Sequence, residues 1–106
     1  MVKDNIREKI VQIAKEYAKL LESKLNIKNI YVYGSYINGN YTEDSDIDIA
    51  VVADDFSGDP IEDIFILMKI RRKVDIRIEP RPFTSSDFTK DNPLARKIIE
   101  NGLKIV

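Results

Sequence analysis

The seven residues from Ile47 to Ala53, "IDIAVVA", constrain the fold of this chain more than any other segment. All but Asp48 are apolar and β-branched residues dominate, which is the composition of a buried strand. Asp46 and Asp48 stand at its mouth, where two carboxylates are poor core material. Side chains alternate along a strand. Both carboxylates therefore point to one face, while Ile47, Ile49 and Val51 point to the other and enter the core.

The rest of the chain supplies partners for such a strand. Residues 4–25 read as a helix: Ile6, Ile10, Ile13, Ala14, Tyr17, Leu20, Leu21 and Leu25 recur at spacings of three and four, a stripe suited to core packing. Ile30 to Tyr33 is a short strand closed by Gly34, and residues 35–45 form a short helix or loop. After the 54–58 connection, Asp59 is an N-cap, Pro60 takes the first helical position and Glu62 completes a capping box, for a helix over 60–72. Residues 74–78 predict a third strand, ended by Pro80 and Pro82. Asn92 and Pro93 open a last helix that Gly102 closes. Residues 103–106 are an edge strand or a packed tail. The fold class is α/β, or α+β if the sheet is mixed, with a small sheet flanked by helices. A length of 106 residues fits a single domain, 1–106, with one modest core. Little chain is left for a second domain, so an elaborate substrate site would need a partner.

Composition narrows the chemistry. Seventeen basic and eighteen acidic residues give a net charge of -1, and the nearest approach to a basic block is Lys69-Ile70-Arg71-Arg72-Lys73. Direct nucleic-acid binding driven by charge is not indicated. With no cysteine, disulfides, thiolate nucleophiles and zinc–thiolate sites are excluded. With no histidine, the commonest general base and transition-metal ligand are missing too. A bound metal should then be a hard ion on carboxylate oxygen, Mg²⁺ or Mn²⁺. No signal-peptide core and no long apolar run is present, so a cytoplasmic protein without membrane attachment is expected.

Val74-Asp75-Ile76-Arg77-Ile78 repeats the alternation of the buried strand, with Asp75 and Arg77 on one face. Pairing the two strands could bring Asp75 beside Asp46 and Asp48. Three gathered carboxylates repel one another and invite a divalent cation. Such ions activate an attacking oxygen and clamp a phosphoryl group without any histidine. Gly34-Ser35 adds a tight exit from the first strand, backbone N–H groups open to phosphate oxygens, and one hydroxyl donor. The plain alternatives are solvated charge at strand ends and an ordinary strand-to-helix turn capped by serine. The segment is neither a P-loop nor a dinucleotide fingerprint.

"GSYINGNYTEDSDIDIAV" resembles the Gly-Ser…Ser-Asp-x-Asp signature of the nucleotidyltransferase superfamily related to DNA polymerase beta. The tail "EPRPFTSSDFTKDNPLARKIIENG" is similar to the ending of its stand-alone members, the minimal nucleotidyltransferases. The resemblance implies that Gly34 and Ser35 hold the triphosphate of ATP. It implies that Asp46 and Asp48 bind Mg²⁺, and that Asp75 is the third catalytic carboxylate and metal-site residue. Many relatives carry an arginine soon after Gly-Ser, whereas Tyr36, Ile37 and Asn38 stand here. The motif therefore does not show how the phosphates are neutralised. Arg77 is open to two readings, a source of that charge or a salt-bridge partner.

Small members of this family are often encoded beside a HEPN-domain protein, an RNase toxin that the nucleotidyltransferase silences by moving AMP to one of its tyrosines. The resemblance implies that role for this chain, as antitoxin, and a homo-oligomer is compatible with it. One rival is a small-molecule nucleotidyltransferase; another is a non-catalytic subunit that neutralises its partner by contact. Tyr36 and Tyr41, close to the motif, are candidates for self-labelling or for packing around the nucleotide.

Overall fold

The buried strand runs through the middle of a four-stranded mixed sheet. The computed structural model describes residues 2–42 and 44–106. Its elements are α1 (Val2–Glu22), β1 (Ile27–Tyr33), α2 (Ser35–Asn38), β2 (Ile47–Ala53), α3 (Pro60–Arg71), β3 (Ile78–Phe83), α4 (Pro93–Asn101) and β4 (Leu103–Lys104). Strand order is β3-β2-β1-β4. β1 pairs antiparallel with β2 and β4, and β2 pairs parallel with β3. A parallel pair needs a crossover connection, and α3 supplies it. The class is thus mixed α/β, with helices on both faces of a small sheet. Of the segment 35–45, position 43 lies outside the described residues. No helix among the described residues is long and apolar enough to cross a membrane.

The two faces of β2 are divided as its alternation requires. Ile47, Ile49 and Val51 join Ile10, Ala14, Tyr17, Leu21, Leu67 and Ile70 in the larger core, between the sheet and the pair α1 and α3. Ala50 and Val52 join Phe83, Ala95 and Ile98 in a smaller core under α4. Tyr17 crosses the larger core completely buried, and its hydroxyl donates to the Leu67 carbonyl at 2.8 Å. Burial keeps that phenol protonated at any ordinary pH, so the donor is always available.

The expected third strand over 74–78 is not there. β3 begins at Ile78 and includes Pro80 and Pro82. The polar groups of the preceding segment are satisfied locally. The Val74 and Asp75 amides donate to the Arg71 carbonyl, and the Arg77 amide donates to the Asp75 carboxylate at 2.8 Å. The last bond is an Asx turn, which competes with extended pairing. Arg71 also donates to the Ile76 and Ile78 carbonyls, and Ile76 is 73% exposed. The prolines are tolerated because β3 is an edge strand. Their spacing of two puts both ring nitrogens on the open side, where no donor is needed.

The helix caps fall where expected, with one change of partner. Asn92 Oδ1 accepts from the Leu94 and Ala95 amides, and Asp59 accepts from the Ile61 amide. Asp63 rather than Glu62 reaches back at the start of α3. Its buried carboxylate accepts from the Ser57 amide and hydroxyl and from the Gly58 amide. The opposite side of α3 is apolar yet open, with Ile61 82% and Phe65 66% exposed.

Candidate active site

Register alone assembles the site. Tyr33 on β1 pairs with Asp48 on β2, and Asp48 pairs with Glu79 on β3. One step further into the sheet, Tyr31, Ala50 and Arg81 form the next row. Ala50 belongs to the core under α4, so alternation directs Asp48, Glu79 and Arg81 to that same face. The sheet thus presents a phenol, two carboxylates and a guanidinium at one end of β2, with Asp46 just before the strand begins. Tyr33, Asp48, Pro60, Ile64, Glu79 and Arg81 line a groove of about 470 Å³ along this edge.

The carboxylates are uneasy neighbours. Partial burial first, and then the charges of Asp46 and Glu79, push the Asp48 carboxyl above its ordinary range. Burial and Asp48 also hold the Tyr33 hydroxyl above its ordinary value, with Arg81 opposing. Tyr33 is therefore a hydrogen-bond donor beside a carboxylate that has no ion-pair partner among the described residues.

Gly34 makes this closeness possible. It leaves β1 at φ 82 and ψ -147, a conformation open essentially to glycine. A Cβ built on it would run into the Asp48 carboxylate. The strand exit and the second aspartate of the motif are thus in direct contact across 14 residues of sequence, which explains why the two halves of the motif go together. Ser35 opens α2, and its hydroxyl has no hydrogen-bond partner among the described residues.

Asp75 is placed differently. The carboxylates that bear on Asp48 are those of Asp46 and Glu79, whereas Asp75 is engaged by Arg77, with Oδ2 2.8 Å from Nη2 and Oδ1 3.1 Å from Nε. These bonds hold the Asp75 carboxyl below its usual range. Arg77 also donates to the Tyr36 hydroxyl at 3.2 Å, and Tyr36 donates to the Thr42 carbonyl and stacks on Tyr41. This group packs towards Ile6 and Ile10 of α1. Of the two readings of Arg77, salt-bridge partner is the one the structure displays. A wider depression of about 1070 Å³ runs along α1 past Arg77 and includes none of the site carboxylates.

The Asp75–Arg77 pair makes a testable contribution to stability. A depressed carboxyl stabilises the fold above its unfolded pKa, and that contribution disappears as pH falls through the lower folded value. Asp75→Asn should cost about 1 kcal/mol near pH 7, counting the partly exposed pair together with its turn. Denaturant titrations should show the gap between wild type and variant closing below about pH 4. A gap that is constant with pH would show that the charge is irrelevant.

Among the described residues no three carboxylates stand close enough to form a ready metal cage. The donor set nevertheless fits Mg²⁺. This ion is commonly held by one or two carboxylates, with substrate phosphates and water completing its shell. Asp48, disfavoured as an anion by its surroundings, is the oxygen donor such an ion would relieve.

Residues 8–106 match the family model described as "Polymerase beta, Nucleotidyltransferase". The chain belongs to this family. The nucleotidyltransferase is 31% identical over 94 residues to MJ1379 of Methanocaldococcus jannaschii, named as a candidate protein adenylyltransferase, covering 89% of this chain and 91% of that one. Its fold superposes with TM-score 0.69 on a candidate nucleotidyltransferase from Sulfolobus solfataricus, at 16% identity, covering 98% of this chain and 86% of the other. It superposes with TM-score 0.61 on a chain of a toxin–antitoxin crystallised with AMP-PNP, at 25% identity, covering 87% of this chain and 72% of that one.

Glu79 and Arg81 of the nucleotidyltransferase do not stand out in the sequence as candidate site residues, because the strand expectation stops at Ile78. A usable signal exists all the same. "IEPRP" alternates outward-facing Glu79 and Arg81 with prolines, as an edge strand can.

Proposed function

We propose that this nucleotidyltransferase transfers AMP from ATP to a tyrosine hydroxyl of a partner protein, a HEPN-type RNase toxin, and acts as its antitoxin in the cytoplasm. The observation that carries this reading is the row Tyr33–Asp48–Glu79 held against Gly34. An aspartate whose ionisation is disfavoured by burial and by acidic neighbours, beside a half-buried glycine turn, is suited to a metal-bound polyphosphate. The names of the relatives support adenylyl transfer to protein, and the AMP-PNP complex supports ATP as donor and a toxin–antitoxin setting.

In this scheme Asp46 and Asp48 hold Mg²⁺, which when bound neutralises charge developing on the phosphates. The Gly34 backbone and the Ser35 hydroxyl orient the phosphate chain. Tyr33 donates a hydrogen bond from the floor of the groove. Glu79, beside Asp48 in the row, receives the proton of the acceptor hydroxyl in this scheme, the role that the family resemblance implies for Asp75. Asp75 serves by fixing Arg77 and the turn that launches β3. The acceptor oxygen forms a bond to the α-phosphorus, the bond from that phosphorus to the bridging oxygen breaks, and pyrophosphate leaves. A protein acceptor is supported by the open apolar side of α3, since Ile64 and Pro60 line the same groove as Asp48 and Glu79.

Labelling distinguishes this reaction from its rivals. With ATP labelled at the α-phosphate, the partner should retain label in the presence of Mg²⁺; with γ-labelled ATP it should retain none. Label appearing only on small molecules would favour a small-molecule acceptor. Neutralisation of the partner with no label from either ATP would favour a binding subunit.

A further inference from the structure

The nucleotidyltransferase motif of this chain carries no cation after Gly34-Ser35, where Tyr36, Ile37 and Asn38 stand. An incoming triphosphate would meet Asp46, Asp48 and Glu79, all acidic. Divalent metal offsets only part of the negative charge that the phosphates and these carboxylates bring together, so cationic side chains of the protein are favourable partners for the phosphates. The structure offers them at two places, on elements remote in sequence from the motif. Arg81 extends from the row directly behind Asp48 and Glu79, and its charge acts on Tyr33. Lys97 projects from α4 into a cavity of about 260 Å³, whose wall includes Tyr33, Gly34, Asn38, Lys97 and Asn101. This cavity and the carboxylate groove share Tyr33, so the residue borders the space of each cation. Among the described residues neither cation has a carboxylate within 4.0 Å. Arg77, by contrast, is bound to Asp75 and Tyr36.

We infer that Lys97 and Arg81 clasp the phosphate chain of the donor nucleotide, one from each of the two spaces that Tyr33 borders. Lys97 holds the part of the chain lying over Gly34, and Arg81 holds the part at the carboxylate row. The cavity between α2 and α4 is thereby assigned to the donor, and the open β3 edge is left for the acceptor. Arginine offers a planar fork to phosphate oxygens, while lysine acts as a point charge. The inference rests on ATP being the donor.

Calorimetry with MgATP, on wild type and on Lys97→Ala, Arg81→Ala and the double variant, tests it. Each single change should weaken MgATP by about tenfold, as befits a charge-assisted hydrogen bond, and the double change by more. Inorganic tripolyphosphate with Mg²⁺ should lose affinity by the same factors, and Lys97→Arg should retain most of it. The salt dependence of binding should flatten with each charge removed. Thermal unfolding should be unchanged, because both side chains are exposed. Wild-type binding of MgATP that the variants match within twofold would overturn the clasp while leaving the donor reading intact. No binding by wild type would overturn both.

Discussion

Asp48→Asn is expected to abolish AMP transfer, by about a thousandfold or more, while making the unliganded protein more stable. The first effect follows from losing the oxygen donor at the centre of the site, where charge stabilisation in the transition state is concentrated. The second follows from the direction of its titration. Burial and two acidic neighbours raise the Asp48 carboxyl, so its charged form is a burden on the folded state above that raised value. Wild type should gain stability relative to the variant as pH falls through the raised pKa. Its MgATP binding should decline with acid at a higher pH than an ordinary aspartate would require. Thermal melts at several pH values and a transfer assay check both halves. A variant that is less stable at neutral pH would show that Asp48 serves the fold rather than a ligand.

Gly34→Ala should be nearly as damaging to function and, unlike Asp48→Asn, harmful to stability. The backbone at φ 82 and ψ -147 disfavours any side chain, and the new Cβ would displace the Asp48 carboxylate. A cost of roughly 1–3 kcal/mol is expected from the backbone alone. Transfer should fall by at least about a hundredfold, because shifts of about 1 Å at a reacting centre carry losses of that order. Denaturant unfolding and the transfer assay measure the two effects. Gly39→Ala is the control: its backbone, at φ 87 and ψ 1, lies in the left-handed region, which costs an alanine less than the Gly34 conformation does, and nothing lies within 4 Å of its Cβ position. If both variants retain transfer equally, the Gly34–Asp48 contact has no functional meaning.

The elements legible in the sequence were those whose signals are local. β2 announced itself by composition, α1 by its stripe, and the starts of α3 and α4 by Asp59-Pro60 and Asn92-Pro93. The misplacement of β3 came from facts that are not local. Val74 to Ile78 alternates as a strand should, but the Asp75 side chain captures the Arg77 amide and Arg71 captures the carbonyls of Ile76 and Ile78. Pro80 and Pro82 argue against a strand unless it lies at the edge of the sheet, and only the strand order shows that it does. The site inherited this shift. Asp46, Asp48 and Gly34 stand out as candidates because one short motif holds them, whereas Glu79 and Arg81 become candidates only through the register of a parallel pair. Lys97 required knowing which face α4 covers.

The central claim is adenylyl transfer to a partner chain, and intact-mass measurement of that chain tests it most directly. The purified product of the adjacent gene would be incubated with ATP, Mg²⁺ and either this protein or its Asp46→Asn, Asp48→Asn double variant. With wild type the partner should gain the mass of one or more AMP units on tyrosine, and it should gain none with the variant or with Mg²⁺ chelated. A stable complex with no added mass, together with full neutralisation of the partner by the double variant, would contradict the claim.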